Sequence, residues 1–277
     1  MKLKRASVLL VVLAMATFTP PHPAGASIHQ SSRLYQQMTA AERMAFVSGQ
    51  ARRIALRMSG KNYEFTSGFE AEIQRAVAAY AARIGNNGGD RLGSGDARFI
   101  FQRGQSVAPI LIRVFKANNV SPLLGLYLAM IESEYVNIES ANSVGAIGMF
   151  QFLPKTGQRY DLTADELLDL EKSADAAARY LAANLKRFNS DPMKEALALL
   201  AYNRGESNVE RDLATFVNEQ NRACSICALT EQREQLDKTF REENVYYVPR
   251  FFAAAIIGEN PQAFGLEIQP LSSIDVR

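Results

Sequence analysis

Glu132 ends a charge-free run of ten residues, Pro122 to Ile131. A helix so apolar belongs among other helices rather than on a surface. A carboxyl group at its end either emerges into solvent or faces a cleft at the edge of the core. In a cleft, partial desolvation raises its pKa and suits it to carrying a proton near neutrality. Further along, Gly145, Ala146 and Gly148 leave a backbone with few side chains, which lets a polymer approach and bond to main-chain groups. Gln151 and Asn203 each donate and accept, which suits sugar hydroxyls and N-acetyl groups. Gly205 offers a left-handed cap that would hold Asn203 at a helix end. Taken singly, these residues also read as a tight turn, an ordinary cap and buried amides.

The elements that must position them read as helices. Met44, Val47, Ile54 and Met58 recur at helical spacing, as do Phe69, Ile73, Val77 and Ile84. Gly85 to Gly95 holds five glycines and reads as a flexible loop, the best internal boundary. Beyond it, Val107–Phe115, Leu123–Ile131, Ala174–Phe188 and Met193–Tyr202 read as further helices. Ser121-Pro122 and Asp191-Pro192 each place a capping side chain before a proline at a first helical turn. Strand alternation is almost absent, with two or three short strands expected at most, near 137–148 or Ala223. The fold class is therefore mainly α, with an N-terminal helical region over 27–95 and a second helical domain, the one that carries Glu132, over 96–277.

Composition narrows the function. Lys2, Lys4 and Arg5, an apolar run from Val8 to Ala16, and Ala24-Gly25-Ala26 form an expected signal peptide over 1–26, cut before Ser27. The run is too short for a comfortable membrane span, so no stable membrane insertion is expected after cleavage. Removing those three basic residues from the 31 leaves 28 against 29 acidic ones, a charge of −1. No basic stripe points to nucleic acid. Cys224 and Cys227 are the only cysteines, and in an oxidising compartment so close a pair favours a local disulfide over free thiols. With two histidines, at 22 and 29, the sequence offers no metal site and calls for no cofactor.

The stretch Ala129-Met130-Ile131-Glu132-Ser133-Glu134-Tyr135, followed by Ser143-Val144-Gly145-Ala146-Ile147-Gly148-Met149-Phe150-Gln151-Phe152-Leu153-Pro154, resembles the catalytic core of the soluble lytic transglycosylase (SLT) family. Ala201-Tyr202-Asn203-Arg204-Gly205 and Glu243-Asn244-Val245-Tyr246-Tyr247-Val248-Pro249-Arg250 resemble two further motifs of that family, in the same order. The similarity spans roughly residues 105 to 257 and is closest to the membrane-bound transglycosylase D subgroup. It implies a goose-lysozyme-like helical fold that cuts peptidoglycan glycan strands in the periplasm or outside the cell. Glu132 falls on the catalytic Glu, Ser133 on a serine that orients it, and Gln151 on a cleft glutamine. Ser143 and Gly145 fall in the glycine-turn motif, and Met149 and Phe150 on apolar positions against the sugar. Tyr202 and Asn203 fall on residues around the scissile sugar, and Tyr247 on a tyrosine near the catalytic Glu. Arg204 replaces a small residue, which would touch a subsite and not the chemistry.

The chemistry implied needs one carboxyl group. Glu132 protonates the bond between N-acetylmuramic acid and N-acetylglucosamine, then takes the proton from the muramyl C6 hydroxyl, which closes on C1 as a 1,6-anhydro ring. Effective concentration replaces an activated water. Glu134 and Glu139 read as surface or subsite residues. Two alternatives stay open: a hydrolytic muramidase on the same fold, which needs a water-activating carboxylate opposite Glu132, and a non-catalytic wall-binding scaffold. No wall-binding repeat is visible. The N-terminal region reads as a helical collar on the catalytic domain, with docking to the wall or to a protein of the cell-wall machinery as the alternative.

Overall fold

The computed structural model describes residues 33–274, so the expected signal peptide lies outside the described residues. Eleven α-helices run through them: α1 Ala40–Ser59, α2 Ser67–Arg83, α3 Ala97–Ala117, α4 Pro122–Ser133, α5 Pro154–Gln158, α6 Leu170–Arg187, α7 Lys194–Arg204, α8 Glu206–Phe216, α9 Ser225–Glu231, α10 Lys238–Glu242 and α11 Tyr247–Glu259. No β-sheet forms among them. The short strands expected near 137–148 reduce to one antiparallel bridge between Ile147 and Phe152. The segment is tied by turns instead, with the Gly148 amide bonded to the Ile138 carbonyl at 2.8 Å.

Local chemistry accounts for several helix starts. Thr39 and Glu42 form a reciprocal capping box on α1, satisfying two amides that the first turn leaves unpaired. α3 begins ten residues before the expected Val107, because the Asp96 side chain accepts from the Arg98 amide at 3.0 Å and caps it there. Ser121 makes no side-chain cap, and proline at the first position starts α4 without it. Asp191 accepts from the Met193 amide at 2.8 Å, and α7 starts only at Lys194.

The layers converge on α4. It packs against α3 and α11, while α11 also packs against α1 and α2. Leu124, Leu126, Leu128 and Met130 of α4 are fully buried, as are Phe251, Phe252 and Ile256 of α11. A Cβ placed on Gly258 would lie 2.5 Å from the Tyr127 ring, so only glycine permits this α4–α11 approach. The N-terminal helices belong to the same compact unit as the rest of the described residues. Phe65 meets Phe252 edge-on at 5.2 Å, and the Tyr63 hydroxyl donates to Glu195 of α7 at 2.7 Å. The N-terminal helices thus back the helix that presents Tyr247.

Candidate active site

Glu132 occupies the last turn of α4 and is half-buried between two limbs of one cleft. The larger limb, of about 530 Å³, is lined by Asn142, Gln151, Phe152, Tyr180, Tyr202, Asn203 and Glu243. The smaller, of about 430 Å³, is lined by Asn203, Glu242, Glu243, Tyr246, Tyr247 and Arg250. Burial pushes the Glu132 carboxyl up to about 7, opposed by the hydroxyl of Tyr247 and the charge of Arg250.

Tyr247 opens α11 and its hydroxyl donates to Glu132 Oε1. Burial, then the Glu132 charge, raises the tyrosine pKa well above its ordinary value, so this hydroxyl remains a donor. Arg250 stands one turn on and donates to the Ile131 carbonyl at 3.0 Å, next to the carboxyl it attracts. Removing the tyrosine hydroxyl takes away a group that lowers the Glu132 pKa. Tyr247→Phe is therefore expected to move the alkaline limb of the pH–rate profile from about 7 to higher pH, and an unmoved limb would contradict the contact.

The wall of the larger limb is aromatic. Phe152, Tyr202, Tyr180 and Tyr160 contact one another in series, with ring centroids 5.2 to 5.8 Å apart from Phe152 to Tyr160. The Tyr202 hydroxyl donates to the Phe150 carbonyl at 2.9 Å, linking α7 to the 142–152 turn. Gln151 faces the cleft from a left-handed backbone (φ 49°), and its Nε2 donates to the Gly148 carbonyl at 2.8 Å. Asn142 folds this turn by accepting from the Val144 and Ala146 amides.

Several expected site residues stand elsewhere. Met149 and Phe150 are buried in the core, with Phe150 stacked on Phe115 of α3, and neither lines the cleft. The Ser133 hydroxyl bonds back to the Ala129 carbonyl at 3.2 Å and does not touch Glu132. Gly148 has a positive φ of 77°, and a Cβ there would meet the Leu167 carbonyl at 2.4 Å; it is a turn residue pressed on protein, not open to a polymer. Gly145 has φ 89° and open space at its Cβ position, with Ser143 exposed beside it. Arg204 borders the larger limb, but its side chain is buried among Asp212, Asp237 and Asn244.

Glu134 also departs from expectation. It is buried, bonded to Arg83 of α2 at 2.6 Å and to the Gly93 amide at 3.2 Å. Arg103 of α3 donates to its carbonyl at 2.9 Å. The glycine loop 85–95 is therefore fastened to the end of the helix bearing Glu132. Arg250, Glu243, Tyr180 and Asn142 were given no site role from sequence; Glu243 and Arg250 carried a signal, as the two ends of the motif that contains Tyr247.

Cys224 and Cys227 are joined as a disulfide at the start of α9, with Cα atoms 5.2 Å apart. Among the described residues, no group of three or more His, Cys, Asp or Glu is placed to hold a metal, and no helix is long and apolar enough to cross a membrane.

Residues 111–224 match the family model of the transglycosylase SLT domain. The matched stretch contains Glu132, the 142–152 turn and Tyr202–Gly205. Tyr247 and Arg250 lie beyond it, and Arg83 and Arg103 before it. No curated protein is a significant match to the chain.

Proposed function

We propose that this chain, with its SLT domain at residues 111–224, is an exported lytic transglycosylase that cuts the glycan strands of peptidoglycan. The observation that carries the reading is Glu132: a carboxyl held near pH 7 at the junction of two cleft limbs, with Tyr247 donating to it. A polymer crossing both limbs passes its reacting bond over this group.

Glu132 begins as the acid. Its proton goes to the glycosidic oxygen, the bond from that oxygen to muramyl C1 breaks, and the acetamido oxygen of the same sugar closes on C1. The carboxylate then takes the proton of the C6 hydroxyl. O6 bonds to C1, displaces the acetamido oxygen and leaves a 1,6-anhydromuramyl end, with Glu132 again protonated. A pKa near 7 serves both steps, because neither proton transfer is then steeply uphill. Tyr247 stabilises the carboxylate between them. Motif similarity to the membrane-bound transglycosylase D subgroup belongs to the same proposal, as does a disulfide at Cys224–Cys227 in an oxidising compartment.

One observation favours the hydrolytic alternative. Glu243 lines both limbs with Glu132, and its carboxylate has no partner among the described residues, so it is available to activate a water. Product mass separates the two. Purified glycan strands digested by the protein are expected to give anhydro ends, one water lighter than reducing ends. Predominantly reducing ends would assign the hydrolytic reaction. Binding without cleavage, across pH, would leave only a wall-binding role.

A further inference from the structure

A chain of side-chain amides runs from the interior to the cleft. Arg204 is anchored by Asp212 at 2.5 Å and Asp237 at 2.7 Å, and its guanidinium lies over the Phe240 ring at 5.1 Å. Its Nη1 donates to Asn244 Oδ1 at 2.9 Å, and Asn244 Nδ2 donates to Asn203 Oδ1 at 2.7 Å. Asn203 is exposed on both limbs beside Glu132, and its own Nδ2 has no partner among the described residues.

An amide oxygen and nitrogen are nearly the same in shape, so either could face a given neighbour. A guanidinium has only donors, and that removes the ambiguity. Asn244 must turn its oxygen to Arg204 and hence its NH₂ to Asn203. Asn203 must then turn its oxygen inward and its NH₂ to the cleft. We infer that Arg204 and Asn244 are positioning residues that make Asn203 an obligate hydrogen-bond donor to the substrate, selecting a carbonyl acceptor, the acetamido oxygen of an N-acetylated sugar. This rests on the glycan-cleaving reading above. Without the relay, Asn203 would accept as readily as donate and discriminate little between an acetamido and a free amino sugar.

Asn244→Asp tests the direction. The carboxylate it introduces still accepts from Arg204 but has no NH₂, so Asn203 must flip, donate its NH₂ inward to that carboxylate and turn its oxygen to the cleft. The shape is unchanged. Cleavage is measured on N-acetylated glycan strands and on the same strands de-N-acetylated, each variant at its optimum pH. Any role of the acetamido group in the chemistry is common to all variants and cancels in the comparison. The wild-type preference for N-acetylated strands is expected to fall about tenfold in Asn244→Asp, mainly through KM, as one lost hydrogen bond and one mismatched group predict. Asn203→Asp keeps the contact to Asn244, removes the cleft donor and should fall similarly, so it decides the matter if Asn244→Asp does not fold. A neutron structure of the wild type should show the Asn203 deuterons facing the cleft. An unchanged substrate ratio in the folded variants, or an Asn203 oxygen facing the cleft in the neutron structure, would overturn the relay. If the wild type cuts neither glycan, the cleavage reading falls, and the neutron structure still decides the amide direction.

Discussion

Glu132→Gln is expected to keep the fold and the binding of glycan strands while losing cleavage by at least about 10³-fold, since general acid and general base assistance are each worth roughly 10²–10⁴. The amide matches the carboxylic acid in size but neither delivers a proton to the leaving oxygen nor takes one from the C6 hydroxyl. The loss corresponds to a barrier higher by at least about 4 kcal/mol. Glu219→Gln removes the same formal charge at an exposed position away from the cleft and should leave activity near that of the wild type. Stability supplies an independent check. The Glu132 pKa is raised in the folded state, from 4.5 to about 7, so folding favours its protonated form. Its folded state is therefore penalised progressively as pH rises from about 4.5 through 7. Glutamine escapes that penalty. Above pH 7 the variant should be more stable than the wild type by about 2–3 kcal/mol, and the difference should shrink towards pH 4. Thermal unfolding between pH 4 and 8 measures it. A variant that still cleaves at the wild-type kcat/KM, or a stability difference independent of pH, would remove Glu132 from its place in the mechanism.

Glu134→Ala is expected to cost about 3–5 kcal/mol of stability, as for removal of one partner from a buried ion pair. Glu134 and Arg83 have side chains only 11% and 17% exposed, so the arginine charge left behind cannot be rehydrated without opening the loop. The site is also bent. α4 ends in two successive left-handed residues, Glu134 at φ 52° and Tyr135 at φ 62°, neither of them glycine. Such backbone persists only where surrounding bonds hold it. Here Arg83, the Gly93 amide and Arg103 hold it from three directions. In a domain of this size the melting temperature should fall by roughly 6–15 °C. Cleavage should fall with it at temperatures where the variant remains folded, because Glu132 sits in the turn just before the released cap. Replacing both Arg83 and Glu134 by leucine should recover part of the stability, since no lone charge remains buried. Denaturant unfolding of the single and double variants reads this directly. A single variant within about 1 kcal/mol of the wild type would show the clamp to be solvated.

Local physics made much of this protein legible in its sequence. The absence of charge from Pro122 to Ile131 marked α4 as a central helix, because no other place satisfies so apolar a surface. The same break in pattern singled out Glu132. Residue chemistry also drew attention to Gln151 and Asn203, the family resemblance added Tyr202, and all three line the cleft in the fold. Direction and partnership were not legible, since they depend on residues far away in the chain. Met149 and Phe150 precede Gln151 yet are buried in the core, where Phe150 stacks on Phe115 of α3. Glu134 read as a surface or subsite acid two residues from Glu132. Arg83, 51 positions earlier, makes it a buried clamp. Arg204 read as a subsite substitution, and Asp212, Asp237 and Asn244 close around it instead. A periodic pattern reports how a side chain partitions between water and protein, which one helix decides for itself. Where a charge finds its counter-charge, and which end of an amide faces the substrate, is decided only when segments distant in the chain come together.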